Sequence, residues 1–230
     1  MNIIEYIKYK LNKKEFKLKR EAKRFAWLSQ YQFNTIVDVG ANEGQFAEKI
    51  LCVFPHANIY CFEPLPPVYQ KLKLSFEKRA NVHPFNFGLG AFASEMSMQY
   101  NEYSPSSSLL EMLELHKSNF DFAVKSVPIA IQIRTLDSFF MEPVTGPMLL
   151  KVDVQGYEMP VLQGADSILQ QASVIIIETC FYPLYKDQYL FEDLYEYLVK
   201  KGFRYVGSVE QLVSPKNQQI LTADAVFIKK

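Results

Sequence analysis

Cysteine is scarce in this 230-residue chain, and long apolar runs are absent from it. Its three cysteines (Cys52, Cys61 and Cys180) are an odd number with no C-x-x-C spacing, which argues against a disulfide framework and a cysteine-ligated zinc site. No stretch approaches the roughly 20 apolar residues that cross a bilayer, and the start lacks the apolar core and cleavage site of a signal peptide. The sequence therefore predicts a globular cytoplasmic protein with reduced thiols.

Glycine and proline are also few, at 9 and 12 residues, while 49% of the chain is hydrophobic and 22% is charged. This balance argues against a collagen-like chain and against an intrinsically disordered one. At this length we expect one domain with a full hydrophobic core.

The net charge of zero conceals a basic beginning. Residues 1–24 hold nine lysines and arginines against three acids, a net charge of +6, so the remaining chain carries −6. Apolar residues recur in this stretch at roughly helical spacing, which predicts a basic amphipathic helical segment over residues 1–30, ahead of a domain at 31–230. We expect residues 1–25 either to pack on the domain or on a second copy of the chain, or to lie on the inner face of an anionic membrane.

Beyond the basic stretch, short apolar segments alternate with segments of helical period. Strands are predicted at Thr35–Val39, Asn58–Phe62, 81–87, 148–154, 173–178, 203–208 and 223–229, and helices at 46–54, from Pro66 onwards, at 157–170 and at 191–198. This alternation indicates an α/β fold, a mostly parallel sheet with helices on both faces. Because no helix separates the two final strands, the last strand is predicted to be antiparallel.

The middle of the chain, about residues 90–134, interrupts the alternation. It has period-two apolar patterns around residues 96–100 and 127–133, and a serine-rich loop at 104–108 followed by a short helix candidate. We expect an inserted segment here, and ligand specificity in such folds lies in loops of this kind.

Ligands of an open parallel sheet bind at the carboxyl ends of its strands, so the residues after each strand are the ones to inspect. Gly40 and Gly44 follow the first strand and allow a tight turn that approaches a ligand closely. Glu63 ends the second strand, where an acid accepts hydrogen bonds from ribose hydroxyls. The pair suits nicotinamide cofactors and S-adenosylmethionine alike. Asn42 stands where a dinucleotide fingerprint needs its second glycine, which favours S-adenosylmethionine because it has no pyrophosphate.

Several motifs together resemble the FkbM family of S-adenosylmethionine-dependent methyltransferases. They are VDVGANEGQF (37–46), CFEP (61–64), TLDSF (135–139), LKVDVQGYE (150–158) with VLQGA (161–165), IIIETCFYPLY (175–185) and the terminal ADAVFIK (223–229). The resemblance implies a class I methyltransferase fold, Rossmann-like, with seven strands and the last one antiparallel. It also implies methyl transfer to a hydroxyl of a saccharide, a glycoconjugate or a related natural product.

The family pattern can be carried over onto this sequence position by position. The resemblance implies a cofactor site formed by Asp38, Gly40, Ala41, Asn42, Gly44, Phe46, Glu63, Pro64, Asn86, Gly88, Leu89 and Asp153. The chain departs from the pattern at Gln155, where glutamate is common, and this leaves the role of a second acid at that position open.

Transfer to a hydroxyl needs a group that removes its proton, because a sugar hydroxyl hardly ionises at neutral pH. Asp153, at the carboxyl end of the fourth strand, is the first candidate for this catalytic base, and Glu178, at the end of the fifth, is the second. Two acids do not by themselves indicate a divalent metal. As purely structural alternatives, Asp153 is expected to bond the N–H groups of the turn at Gly156, and Glu178 to pair with Lys151. Ser107, Ser108, Tyr182 and Tyr185 are predicted to line the acceptor site.

Two other functions remain open at this point. A nicotinamide-dependent oxidoreductase would share the sheet and Glu63, but Asn42 and the lack of a Tyr-x-x-x-Lys pair disfavour it. A non-catalytic protein that binds S-adenosylmethionine would keep the cofactor loop without using Asp153. Nucleic acid is not expected as a partner, because the body of the chain is acidic and lacks a motif for a flipped base.

Overall fold

The computed structural model describes residue 13 and residues 15–100, 108–115 and 127–230. These residues form ten strands. In chain order they are β1 (Thr35–Val39), β2 (Asn58–Phe62), β3 (Val82–Phe85), β4 (Gly88–Leu89), β5 (Ser94–Tyr100), β6 (Val127–Arg134), β7 (Met148–Val152), β8 (Ala172–Cys180), β9 (Phe203–Val213) and β10 (Ile220–Lys229).

The larger sheet has seven strands in the order β3-β2-β1-β7-β8-β10-β9. Strands β3, β2, β1, β7 and β8 pair in parallel, whereas β10 pairs antiparallel with both β8 and β9. The last strand is therefore the reversed one, because the β9–β10 hairpin turns the chain back before it enters the sheet. This order and direction of strands confirm the predicted class I methyltransferase fold.

Helices cover both faces of this sheet. They are the 3₁₀ helix Lys23–Tyr31, α1 (Gln45–Leu51), α2 (Pro66–Ser75), α3 (Leu136–Phe139), α4 (Glu158–Gln163), α5 (Asp166–Gln171) and α6 (Phe191–Lys200). Adjacent residues of one strand enter opposite cores, since Val37 packs with Leu162 and Leu194 of α4 and α6, while Ile36 packs with residues of α1 and α2. None of the helices within the described ranges has the length and apolarity to span a membrane.

One predicted helix is two helices in the structure. The pattern at 157–170 predicts a continuous helix, but α4 ends before Gly164 and α5 begins at Asp166. Asp137 explains the new start, because its carboxylate accepts hydrogen bonds from the backbone N–H groups of Ser167 and Ile168 at 3.0 and 3.1 Å. This cap comes from another part of the chain, so the helical period of the segment does not reveal it.

A second, three-stranded sheet lies beside the carboxyl ends of β1 and β2. Its order is β4-β6-β5, with β5 and β6 antiparallel. Met98, Ile131 and Ile133 from this sheet pack with Leu65, which follows β2. The two alternating segments in the middle of the chain thus form the paired strands β5 and β6, whereas 101–107 and 116–126 lie outside the described residues.

The described part of the basic stretch packs on the sheet. Residues 15–22 are helical and continue into the 3₁₀ helix. Ala22, Phe25 and Leu28 are buried, and the ring of Phe25 meets that of Phe46 edge-on at 5.5 Å between centroids. Residues 1–12, which carry most of the predicted apolar stripe, lie outside the described residues.

Candidate active site

A cavity of about 480 Å³ opens at the carboxyl ends of β1, β2 and β7. Parallel strands bring their carboxyl ends to one edge, so loops that are distant in sequence meet there. The residues predicted for the cofactor that line this cavity are Gly40, Ala41, Asn42, Phe46, Glu63, Pro64, Gly88, Leu89 and Asp153. Nine of the twelve sequence-predicted positions therefore come together around one space.

The loop after β1 is tight enough to require glycine at position 40. Gly40 has φ +76°, and a Cβ there would lie 1.8 Å from the carbonyl oxygen of Asp153. The N–H groups of Gly40 and Ala41 both donate to the carbonyl of Phe62 at 3.0 Å. These contacts hold the loop across the ends of three strands, where it forms the floor of the cavity.

Glu63 closes the other side of the loop. Its carboxylate accepts hydrogen bonds from the backbone N–H groups of Asn42 at 3.0 Å and Leu65 at 2.9 Å. Burial raises the pKa of Glu63 to about 7, because the side chain has little contact with solvent. The carboxylate is fixed at the cavity wall, at the end of β2.

Three predicted cofactor residues support this wall without lining the cavity. The side-chain amide of Asn86 donates to the carbonyls of Glu63 and Pro64, both at 3.0 Å. Gly44 (φ +96°) packs against Phe76, the residue after α2, and a Cβ there would lie 2.3 Å from that ring. Asp38 is wholly buried in β1, with Oδ1 3.6 Å from Lys151 Nζ. The structure places these three behind the surface that a ligand would touch.

Asp153 lines the cavity directly after β7. Its Oδ2 lies 3.1 Å from Lys151 Nζ, and its Oδ1 accepts a hydrogen bond from Gln155 Nε2 at 2.9 Å. Burial alone would raise the pKa of Asp153, but the charge of Lys151 and these hydrogen bonds hold the pKa below its usual value. The side chain is 30% exposed, so Asp153 is an ionised carboxylate that faces the cavity.

Gln155 joins Asp153 to the residues behind it. Its Nε2 also donates to Glu178 Oε2 at 2.8 Å, and its Oε1 accepts a hydrogen bond from the Tyr185 hydroxyl at 2.9 Å. Its backbone is left-handed at φ +56°, and its carbonyl accepts the Ser108 hydroxyl at 2.6 Å. The orientation of the amide follows from Asp153, since an ionised carboxylate cannot donate and therefore requires the NH₂ group of the amide, which leaves Oε1 to accept from Tyr185.

Glu178 does not line the cavity. Burial raises the pKa of Glu178 well above its usual value, and the charges of Asp153 and Glu158 raise it further. The pKa values of the two candidate acids are therefore shifted in opposite directions, that of Asp153 downwards and that of Glu178 upwards. Of the two, the structure presents only Asp153 to a ligand.

The predicted acceptor contacts lie elsewhere. Ser108 and Tyr185 are each 1% exposed, and both bond to Gln155 instead of facing the cavity. Tyr182 is exposed at 38% but does not line the cavity. Ser107 lies outside the described residues. Of the three that the structure describes, Ser108, Tyr182 and Tyr185, none lines the cavity.

The sequence also suggests purely structural roles for Asp153, at the turn N–H groups, and for Glu178, as a partner of Lys151. The structure gives both roles to other residues. The turn N–H groups of Val154 and Gly156 donate to Glu158 Oε1 at 3.0 and 3.1 Å, not to Asp153. Burial raises the pKa of Glu158 to about 7. Lys151 pairs with Asp153 and Asp38, not with Glu178.

Several lining residues are absent from the sequence-based set. They are Lys49 on α1, Lys151 on β7, Glu210 on β9, Asp224 on β10, and an apolar wall formed by Leu65, Met98, Ile131 and Ile133. Lys151 and Asp224 could have been identified from the sequence, because each is a charged residue inside an otherwise apolar strand. A buried charge needs a partner, so such a residue indicates a polar site. Within the described ranges, no group of three or more His, Cys, Asp and Glu side chains could hold a metal ion.

Most of this chain is similar in sequence to known proteins. The Methyltransferase FkbM domain matches residues 38–205. The 2-O-methyltransferase NoeI of Sinorhizobium fredii is 27% identical, over 68% of this chain and 65% of that protein. The hexuronic acid methyltransferase AglP of Haloferax volcanii is 26% identical (61% and 54%), and the methyltransferase sdnD of Sordaria araneosa is 30% identical (57% and 60%). The chain spans less than two thirds of the length of each relative.

Proposed function

We propose, from the premise that this chain belongs to the FkbM family of methyltransferases, that it transfers a methyl group from S-adenosylmethionine to a hydroxyl oxygen of a saccharide. The family match confirms the family, the enzyme class and the cofactor that the sequence predicts for this domain. The acceptor and the residue roles below are our proposal.

The residues around the cavity fit S-adenosylmethionine. Glu63 offers a fixed carboxylate to ribose hydroxyls, and the loop from Gly40 to Asn42 provides a backbone surface that side chains do not obstruct. The apolar wall of Leu65, Ile131 and Ile133 beside Leu89 suits the face of an adenine ring. When bound, S-adenosylmethionine supplies a methyl group activated by its positively charged sulfur.

The position of Asp153 is the main structural support for the proposed reaction. Asp153 is an ionised carboxylate at the cavity surface, held in one orientation by Lys151 and Gln155. In this role Asp153 accepts the proton of the acceptor hydroxyl as the oxygen becomes the nucleophile, which contributes roughly 10²–10⁴-fold to the rate. Glu178 does not line the cavity and so does not receive that proton directly.

The names of two relatives support an oxygen of a saccharide as the acceptor. One relative is named for transfer to an oxygen and another for a hexuronic acid. At these identities the names suggest the class of acceptor and leave its identity to experiment.

The test starts with calorimetric titration of the purified protein with S-adenosylhomocysteine, with NAD⁺ and NADP⁺ in parallel. We expect saturable binding of S-adenosylhomocysteine only, and binding of a nicotinamide cofactor instead would contradict the proposal. A screen of saccharides with methyl-labelled S-adenosylmethionine follows. Asp153→Asn is expected to keep S-adenosylhomocysteine binding and lose turnover, whereas a protein that only binds the cofactor would show no turnover before or after the substitution.

A further inference from the structure

The cavity extends well beyond the part that fits the cofactor. Along the carboxyl edge of the sheet, Glu63 stands at β2, the glycine loop at β1 and Asp153 at β7. Past Asp153 the edge continues to β10 and β9, which contribute Asp224 and Glu210 to the same cavity. If ribose lies at Glu63 and the proton acceptor is Asp153, the acceptor molecule lies on the β10–β9 side. This step rests on the function proposed above.

A β-bulge turns Glu210 towards this end of the cavity. Gln211 pairs with Ala223 and Ser208 with Ala225, so Val209 and Glu210 together stand opposite the single residue Asp224. A bulge of this kind bends the strand and redirects a side chain, and such bulges are frequent at sheet edges next to active sites. The hairpin is therefore shaped to present Glu210 and Asp224 side by side.

Two basic residues hold Glu210 in place. Arg24 of the 3₁₀ helix contacts Glu210 Oε1 at 2.6 Å, and Lys49 Nζ on α1 lies 4.0 Å from Glu210 Oε2. Lys49 and Glu210 both line the cavity, with side chains that are 20% and 44% exposed. These groups are ordered by one another and still reachable from the cavity.

The floor of this end is an aromatic ring. Phe46 lines the cavity and is fixed by the edge of Phe25 and by Lys151 Nζ, which lies 5.7 Å from the centre of its ring. A flat apolar surface beside several carboxylates is a pattern suited to a sugar ring, which has apolar C–H groups and outward hydroxyls.

The geometry points to an acceptor subsite between α1 and the β9–β10 hairpin, in which Lys49, Glu210 and Asp224 bind a neutral saccharide unit through its hydroxyl groups. Ionised carboxylates accept hydrogen bonds and do not donate them, so Asp153, Glu210 and Asp224 complement hydroxyl donors. Lys49 donates to a sugar oxygen. A uronate or phosphate would meet the same three acids, while Lys49, Arg24 and Lys151 are each already paired with a carboxylate, and we expect this to weaken its binding.

The test uses the full-length protein and named sugars. Neutral probes are the methyl glycosides of glucose, mannose and galactose, and anionic probes are methyl glucuronide and glucose 1-phosphate. Binding is measured by saturation-transfer NMR on protein saturated with S-adenosylhomocysteine, and KM by transfer of a labelled methyl group. We expect at least one neutral glycoside to bind and be methylated, with the anionic probes at least about tenfold weaker.

Substitutions test whether these three side chains bind the acceptor. Glu210→Gln, Asp224→Asn and Lys49→Met are each expected to raise KM for the neutral glycoside roughly tenfold, the loss of one hydrogen bond, while the Kd for S-adenosylhomocysteine stays within about twofold. Lys49→Met keeps the apolar part of the lysine side chain, so this variant is expected to fold. The inference therefore remains testable even if one of the other two variants does not fold. Glu196→Gln, in an exposed ion pair on α6, is the matched control and should change neither quantity.

Three results would overturn the subsite. They are unchanged KM in all three variants, preference for the anionic probes, and failure of every neutral glycoside to bind protein that does bind S-adenosylhomocysteine. The first two leave the proposed methyl transfer intact. Failure to bind S-adenosylhomocysteine at all would instead remove the proposed function itself.

Discussion

The amide nitrogen of Gln155 lies 2.9 Å from Oδ1 of Asp153, and the same nitrogen donates to Glu178. One uncharged side chain thus separates two acids whose pKa values move in opposite directions. Glutamate, common at this position in the family resemblance, would place a third carboxyl between them. The amide adds no charge beside Asp153, which suits the proposed role of that residue as the base.

Gln155→Glu tests this arrangement. A third carboxyl removes a donor and adds repulsion, so the pKa of Asp153 rises and the acidic limb of the kcat–pH profile moves to higher pH by roughly one unit. At neutral pH Asp153 stays ionised in both proteins, so kcat changes little there, and a loss approaching tenfold appears only below the shifted limb and recovers as the pH is raised. Gln163→Glu, on the exposed surface of α4, is the control and should leave the profile unchanged. A uniform loss of activity at every pH would indicate damage to the turn instead.

Glu178→Gln distinguishes the two acids. Glu178 does not line the cavity and burial shifts its pKa upwards, towards the neutral form, so a neutral amide is a close replacement and we expect kcat within about threefold of the parent enzyme. Asp153→Asn, at the other end of the same hydrogen-bonded chain, is expected to abolish most turnover. The measurement is single-turnover methyl transfer for both variants. Equal losses in the two would show that the acids act as one unit.

Binding of S-adenosylhomocysteine should depend on the protonation of Glu63. Ribose hydroxyls donate to the ionised carboxylate, and burial places the pKa of Glu63 at about 7 in the free protein. Affinity is therefore highest above this pH and falls as the pH drops through it, towards tenfold per unit. Calorimetry between about pH 5.5 and 8.5 measures the slope. Glu63→Gln should bind more weakly and show no such slope, and a parent protein with flat affinity would argue against Glu63 as the ribose ligand.

Glu158 is expected to make folding stability fall as the pH rises. Its pKa is about 7 in the folded protein against an ordinary value of 4.5, so between these values the folded state binds more protons than the unfolded one. Through Glu158 the free energy of unfolding then decreases by at most about 1.4 kcal/mol for each pH unit. Glu63 and Asp224, whose pKa values are also raised, contribute slopes of the same sign. Glu158→Gln, measured by chemical denaturation at several pH values, should reduce the slope. Glu196→Gln should not.

Gly40→Ala is expected to cost several times more stability than Gly202→Ala. Both glycines have positive φ, so each substitution carries backbone strain of about 1 kcal/mol. At Gly40 the new Cβ also meets the backbone carbonyl of Asp153 at 1.8 Å, whereas at Gly202 nothing lies within 4 Å. Thermal unfolding of the two variants compares them. Similar losses would mean that the loop after β1 moves freely away from Asp153.

The sequence predicts best where a local pattern decides the structure. Strands β1 and β2 have the predicted bounds, because an apolar run ends at a glycine in one and at an acid in the other. The wall formed by Glu63 and Asn42 follows from those strand ends. The break between α4 and α5 escapes prediction because Asp137, more than twenty residues away, supplies the cap.

The β9–β10 side of the cavity escapes prediction for a similar reason. Glu210 reaches the cavity through a bulge that is a property of two paired strands and leaves no trace in either alone. Tyr185 was expected to offer its ring to a ligand, but its hydroxyl is the donor that Gln155 requires, and this draws the ring into the interior. The positions of Glu210 and Tyr185 both depend on contacts between segments that are distant in sequence. The spacing of residues within one segment does not reveal such contacts.

Residues 108–115 are attached both to the turn that follows Asp153 and to the loop after β8. Ser108 bonds to the carbonyl of Gln155, and farther along, Leu113 and Glu111 exchange backbone hydrogen bonds with Leu184 and Lys186 in the loop after β8. The segment therefore touches the turn through the hydroxyl of Ser108. A sequence change that shifts this segment is expected to displace the backbone of Gln155, so substitutions in a peripheral loop are expected to alter the rate of the proposed reaction as well as the choice of acceptor.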